Sequence, residues 1–200
     1  MQKIMFNDKY GLTQAVLEGR KTQTRRIAYT GNATIIDCGI CVEPKNFGRA
    51  ALFRGIDEIA HSRYNIGEEV AVAQAYCMLI VDRGYSDKEI LEIACSKGWV
   101  NKMYVKSDLM PHRIRITDIR AERLQEISDE DCIAEGIREQ YFYSGEEEPE
   151  FEGYSYYAKN VLKPLFCTPR EAYAALIDKI SGKGTWKNNP YVFVYEFELI

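Results

Sequence analysis

Residues 18–26 read EGRKTQTRR, directly after a short apolar helical pattern. Lys21 and Thr24 stand three residues apart, just beyond Gly19, where a tight loop can point both side chains the same way, as a chemical role for the pair requires. A lysine partly buried near other cations loses proton affinity and can then accept a proton. A threonine hydroxyl is a poor nucleophile without such a neighbour. Arg25 and Arg26 add guanidinium forks suited to a carbonyl oxygen or a phosphate. A purely structural reading competes with this one. Arg20 and Lys21 would then only complement the negative end of a helix dipole, worth about 0.3–1 kcal/mol. Arg25 and Arg26 would be exposed strand residues paired with glutamates.

A carboxylate completes the constellation. In SDEDCIAEG the acidic Asp129, Glu130 and Asp131 occupy the favourable start of a helix, whereas Glu135 is the last residue before Gly136, where a negative charge opposes the dipole. A charge set against local preference marks a functional candidate.

These residues sit in a chain of 200 residues with a net charge of -4, 46% hydrophobic and 28% charged. That length predicts one domain, or one domain carrying a large insertion, with a real core. No apolar run approaches the ~20 residues of a membrane span, and MQKIMFND lacks the apolar stretch of a signal peptide, so a cytoplasmic location is expected. The acidic balance argues against a general polyanion binder but leaves room for a local basic pocket. Six cysteines are scattered without a framework and are expected as reduced thiols. Cys38 and Cys41 form a C-x-x-C, yet no second ligand pair follows, the only histidines are His61 and His112, and the surroundings read as strand rather than helix start. No metal and no cofactor are expected.

The elements that must hold the site are marked by spacing and caps. Lys3–Asn7 reads as a strand, followed by a helix capped at Asn7 or Asp8 and closed by a left-handed Gly19. The segments ATIIDCGICVE and EEVAVAQAY, the second after the turn NIGE, read as strands. Capping boxes at Ser86/Glu89, Ser128/Asp131 and Thr168/Glu171 open helices ending at Gly98, at Gly136 and after Ser181. Ile127 and Cys132 suit a hydrophobic staple on the second, and Tyr173, Leu176, Ile177 and Ile180 form the apolar face of the third. HRIRITDI alternates. YVFVYEFELI sets Tyr191, Phe193, Tyr195, Phe197 and Leu199 against Val192 and Val194, so its first half should be buried on both sides. Strands interspersed with isolated helices, without βαβ regularity, predict an α+β fold around a small, mostly antiparallel barrel. Ser144–Tyr157, with five glutamates and a tyrosine cluster, reads as a surface loop or lid that would repel a phosphate backbone.

GRKTQTRR resembles the signature of the ASCH domain, a family of the PUA-like superfamily, with the Gly-x-Lys-x-x-(Glu or Thr)-x-Arg run falling on Gly19, Lys21, Thr24 and Arg26. The segments Tyr64–Tyr76, Met110–Ile137 and Gly182–Ile200 are similar to the longer ASCH proteins often found in phage and prophage regions. The resemblance implies a single PUA-like domain spanning 1–200, with insertions near 38–63, 79–106 and 139–165. It implies a compact β-barrel with helices at its ends, and a cleft beside the signature loop that takes RNA or a nucleotide. One branch of small ASCH proteins hydrolyses the amide of N4-acetylcytidine with a lysine, a threonine and a later glutamate, which fall on Lys21, Thr24 and Glu135. This chain is about twice as long as those enzymes.

Three functions follow as expectations. The first is a module binding RNA, a nucleotide or a modified nucleoside, with Gly19, Arg20, Arg25, Arg26, Tyr76 and Trp186 as its ligand-binding set and an aromatic (Tyr64, Tyr76 or Trp186) stacking on a base. The second is an amidohydrolase of an N4-acetylcytidine-like nucleoside, in which Thr24 attacks, Lys21 is the general base and Glu135 handles the intermediate. There a protonated Glu135 would donate to the oxyanion, and an ionised one would orient Lys21 or the amine. The third is a phage-related interaction protein with a vestigial pocket. No membrane partner is expected, and the oligomeric state is open.

Overall fold

The computed structural model describes residues 1–30, 33–34, 40–42, 51–54, 58–79, 87–142, 150–156 and 165–200. Strand β1 (Gln2–Ile4) leads to Asn7, whose side chain accepts from the Lys9 N–H and starts a one-turn 3-10 helix, Asp8–Tyr10. Helix α1 (Leu12–Leu17) ends near Gly19, at φ 70°. Strand β2 (Gln23–Ile27) carries the arginine pair, and β3 (Tyr29–Thr30) pairs with β4 (Ala33–Thr34). Strands β5 (Ile40–Val42), β6 (Ala51–Arg54) and β7 (Glu58–His61) form a small antiparallel sheet. A turn at Gly67 (φ 80°) leads into β8 (Glu69–Val72). Helix α2 (Asp87–Ala94), the long strand β9 (Arg113–Arg123) and helix α3 (Asp129–Ala134) follow. A hairpin of β10 (Arg138–Phe142) and β11 (Glu150–Ser155) precedes α4 (Pro169–Ser181), the short α5 (Thr185–Asn188) and β12 (Tyr191–Leu199).

The main sheet has the order β1-β8-β9-β12-β2, with β1 parallel to β8 and every other pairing antiparallel. The fold is α+β, and its principal sheet is mostly antiparallel. Because residues directly opposite in a ladder share a face, the register sorts the side chains. Thr24, Tyr195 and Ile119 lie in one row, and Arg26, Phe193 and Ala121 in the next. The opposite face carries Arg25, Val194 and Arg120, flanked by Gln23 and Glu196 on one side and by Val192 and Glu122 on the other. Val192, Phe193, Val194 and Tyr195 are all buried, so β12 is covered on both sides along its first half. Strand β2 is an edge, and so is β1. The Arg26 guanidinium spans from one to the other, donating to the Met5 carbonyl just past β1 at 2.7 Å.

The helices differ from expectation at their ends. Asn7 caps the 3-10 turn, and α1 itself starts after Gly11, at φ 67°. Helix α2 stops at Ala94 rather than Gly98, because the Ser96 hydroxyl donates back to the Ile93 carbonyl and closes a turn there. Gly98 instead admits the Tyr76 ring: a Cβ at this position would lie 2.5 Å from Tyr76 Cε2. The capping boxes at Ser128 and Thr168 are half made. Each hydroxyl accepts the expected backbone N–H, but Asp131 turns its carboxylate to arginines and Glu171 accepts from the Cys167 N–H. Ile127 and Cys132 are both fully buried. Ser86 and most of the glutamate run lie outside the described residues. The described part of Ser144–Tyr157 is strand β11 rather than loop, and Tyr156 is buried with its ring 5.7 Å from that of Tyr10. No described helix is long and apolar enough to cross a membrane.

Gly136 sets how α3 ends against α1. Its φ is 107°, and an added Cβ would meet Leu12 Cδ2 at 3.2 Å and Lys21 Cδ at 3.8 Å. Gly136→Ala is therefore expected to lose about 1–3 kcal/mol through backbone strain and more through the Leu12 contact, read as a lower urea midpoint, whereas Gly182→Ala, at φ 109° with nothing within 4 Å, adds the backbone strain without the contact.

Candidate functional site

Two helix C-termini converge beside β2. The Arg20 and Lys21 amides both donate to the Ala15 carbonyl at the end of α1. The Thr22 amide donates to the Ala134 carbonyl at the end of α3, at 3.0 Å. These bonds carry the Lys21 side chain onto the end of α3, where its Nζ donates to the Glu135 carbonyl at 2.8 Å, to Glu135 Oε2 at 2.5 Å and to the Gln23 carbonyl at 2.7 Å. Lys21 thus complements the dipole of α3 rather than that of its own helix.

Lys21 is 2% exposed and Glu135 5%. Three acceptors around Nζ use all three protons of an ammonium, and both carboxylate oxygens of Glu135 accept from cations, Oε1 from Arg25 Nη1 at 3.3 Å. The geometry thus offers a partner to each proton of an ammonium and each oxygen of a carboxylate. Burial pulls the Lys21 pKa below its ordinary 10.5; Glu135 opposes this, and Arg26 and Arg25 add to it.

Arg25 lies on the other face of β2, and its donors are all committed. Nε and Nη2 go to Glu122, Nη2 also to Asp131 at 2.5 Å, and Nη1 to Gln23 and Glu135. Arg120 joins the same network through Glu122, Asp131 and Glu196. Arg25 therefore holds Glu135 in place and has no N–H left for a phosphate. Burial would lower its pKa, but Glu135 and its other acidic partners outweigh that and raise it.

Beside the pair opens a cavity of about 720 Å³, bounded by β2, the Asp8–Tyr10 turn and the second half of α4. This lies within the ~300–1,000 Å³ of small-molecule sites. Because β2 is an edge strand, side chains from both of its faces reach the cavity. Lys21, Thr24, Arg25, Arg26 and Glu135 all line it. Thr24 is 5% exposed, and among the described residues its hydroxyl has no hydrogen-bond partner. Arg26 is exposed, has no carboxylate partner among the described residues and lies 5.9 Å from the Phe6 ring centroid.

The remaining expected site residues lie elsewhere. Gly19 and Arg20 fall outside the cavity, and Arg20 pairs with Glu18. Tyr76 is buried in a separate apolar cluster with Val105 and Met110, its hydroxyl accepting from the Lys106 N–H at 2.8 Å. Trp186 packs edge-on against Tyr173, 6.2 Å between centroids, one ring behind the cavity. Tyr64 is buried edge-on to Tyr195. The aromatic rings that do line the cavity are Phe6, Tyr29 and Tyr173, with Lys102 at its rim paired to Asp8 at 2.7 Å. Tyr29 is 53% exposed and follows the arginine pair by three residues, a spacing that could have drawn notice. Tyr173 reads as helix core, and nothing in the spacing marks it. Cys38 lies outside the described residues; Cys77, Cys95, Cys132 and Cys167 are free thiols. Among the described residues no cluster of three or more His, Cys, Asp or Glu is placed to hold a metal.

Two outcomes test this electrostatic account. Glu135→Ala leaves Arg25 its partners Glu122 and Asp131 but strands the buried Lys21 ammonium, and is expected to cost about 3–5 kcal/mol, while Lys21→Met/Glu135→Met together should cost less than either single change in a denaturation double-mutant cycle. Burial pushes the Asp131 carboxyl up, but Arg25, Gln23 and Arg120 overcome this and hold it below its ordinary 3.8. Its stabilisation is complete above 3.8 and disappears as pH falls through the lower folded value. The Tm gap between wild type and Asp131→Asn should therefore be flat at neutral pH and close in strong acid.

No family model, curated protein or solved structure matches this chain.

Proposed function

We propose that this chain is an ASCH-type, PUA-like protein that binds one nucleotide or modified nucleoside, free or turned out of single-stranded RNA, in the cavity beside Gly19–Arg26. The observation that carries the reading is the composition of that cavity. A committed ion pair, Lys21–Glu135, stands beside Thr24 and Arg26, whose hydroxyl and guanidinium have respectively no hydrogen-bond and no carboxylate partner among the described residues, and an exposed ring, Tyr29. Such a set offers hydrogen bonds to a base edge, charge to a phosphate and a face for stacking. A volume of about 720 Å³ suits one nucleoside and not a duplex. The PUA-like barrel belongs to the same proposal and draws support from the way the edge strands β1 and β2 approach, bridged by Arg26.

The free Thr24 hydroxyl favours one second reading, amide hydrolysis of an N4-acetylcytidine-like nucleoside. Thr24 Oγ would bond to the acetyl carbon as its proton passes to Lys21. The C–N bond would then break, the cytosine amine would leave with that proton, and water would release acetate from the threonine. Lys21 must first lose a proton and one of its three contacts. Its lowered pKa brings this within reach, and the rate would rise with pH to a midpoint below 10.5.

Titration calorimetry with N4-acetylcytidine tests binding. Tyr29→Ala should weaken it by about 1–3 kcal/mol, the worth of one stacked base, and absence of binding to wild type overturns the reading for this ligand. Chromatography of the same mixtures tests turnover. Cytidine released by wild type but not by Thr24→Ala or Lys21→Ala establishes the hydrolase, and cytidine from none of them leaves a binding site.

A further inference from the structure

A second cavity of about 370 Å³ adjoins the first and shares Met5, Arg26, Ile27 and Tyr29 with it. It lies between the edge strands, floored by Phe193 and Tyr195. Among the described residues no Asp or Glu lines it, but Arg26, Arg63 and His61 do. Elsewhere among the described residues Arg20, Arg25, Arg113, Arg115, Arg120 and Arg138 each meet a carboxylate, while Arg123 and Arg170 donate to backbone carbonyls and lie over the Tyr191 and Trp186 rings. Arg63, like Arg26, meets no carboxylate among the described residues. Its guanidinium lies 5.5 Å from the Tyr64 ring centroid, with only a 3.5 Å contact to Gln2 Oε1. Its backbone N–H donates to the Tyr195 hydroxyl at 2.8 Å, which fixes the base of the side chain at the cavity. The other polar groups here are already satisfied: the Tyr64 hydroxyl donates to the Lys3 carbonyl, and the Lys3 ammonium bonds to the carbonyls of Met103 and Val105.

Two guanidiniums in one concavity of an acidic chain, with no carboxylate partner among the described residues, suit an oxyanion, and the planar forks favour a phosphate. We infer that the second cavity is a phosphate subsite, so that the ligand is a phosphorylated nucleoside whose base occupies the first cavity and whose phosphate lies between Arg26 and Arg63. The inference rests on the proposed base-binding role of the first cavity. A monoester on a free nucleotide and a diester in a single strand present the same oxyanion.

The test is titration calorimetry at several salt concentrations with N4-acetylcytidine, its 5′-monophosphate, a short single-stranded oligonucleotide carrying it, and inorganic phosphate. Wild type, Arg63→Gln and Arg63→Lys are compared. The monophosphate should bind wild type at least tenfold tighter than the nucleoside, by analogy with other charge-assisted contacts. Arg63→Gln should remove that advantage, leave nucleoside affinity unchanged and flatten the slope of log K against log salt by about 0.7. Arg63→Lys should recover part of it. An oligonucleotide tighter than the monophosphate identifies a diester in RNA as the source; equal affinities identify a free nucleotide. Equal binding of nucleoside and monophosphate, or an advantage that survives Arg63→Gln, overturns the subsite and leaves the base cavity standing. Inorganic phosphate bound through Arg63 without nucleoside binding keeps the subsite and removes the base reading. No binding of any probe overturns both.

Discussion

The buried ion pair between Lys21 and Glu135 is the constraint around which this end of the molecule is arranged. Two charges taken out of water are tolerated only when every donor and acceptor is met. Here that demand draws in the loop after α1, the last turn of α3, the start of β2 and, through Arg25, the strands behind it. The placement of Glu135 against its own helix dipole then has a physical cause. The ammonium of Lys21 sits on the same helix end and contacts both the carboxylate and the exposed carbonyl. The acids at the start of α3 are likewise engaged, since Asp131 gives up its capping role to anchor Arg25 and Arg120.

Neighbouring residues of one strand meet opposite fates. Successive side chains of β2 point to opposite faces, so Arg25 turns under α3 into a closed carboxylate network, while Arg26 turns toward the gap between the sheet edges and meets no carboxylate among the described residues. The first guanidinium shapes the site from behind, and only the second is available to a ligand. Thr24 shares the face of Arg26, which is why its hydroxyl is open to the cavity.

Much of this was legible in the residues themselves. The glycine after the first helix, the caps at Ser128 and Thr168, and the double-sided burial of β12 follow from local chemistry and alternation. The joining of Lys21, Thr24 and Glu135 was legible in part, because a misplaced charge signals a partner without naming it. The aromatic residues were not. Tyr76 and Trp186 looked available, but the first is enclosed by a cluster built from distant segments and the second stacks behind Tyr173. Which ring faces a cavity depends on how strands far apart in the chain meet, and Tyr29 reaches the opening only because β2 lies at the sheet edge. The fate of Arg25 was hidden for the same reason, since its partners Glu122 and Asp131 come from β9 and α3.

The bridge from Arg26 to the Met5 carbonyl also bears on self-association. Free sheet edges are where copies of a chain add strand to strand and aggregate. Here the space between the two edges is spanned by a charged, bulky side chain that occupies one of the exposed carbonyls, while a second guanidinium, Arg63, lines the same gap. Like charges from an approaching copy would meet there. The same two arginines therefore place at the edge the kind of charge that disfavours strand addition.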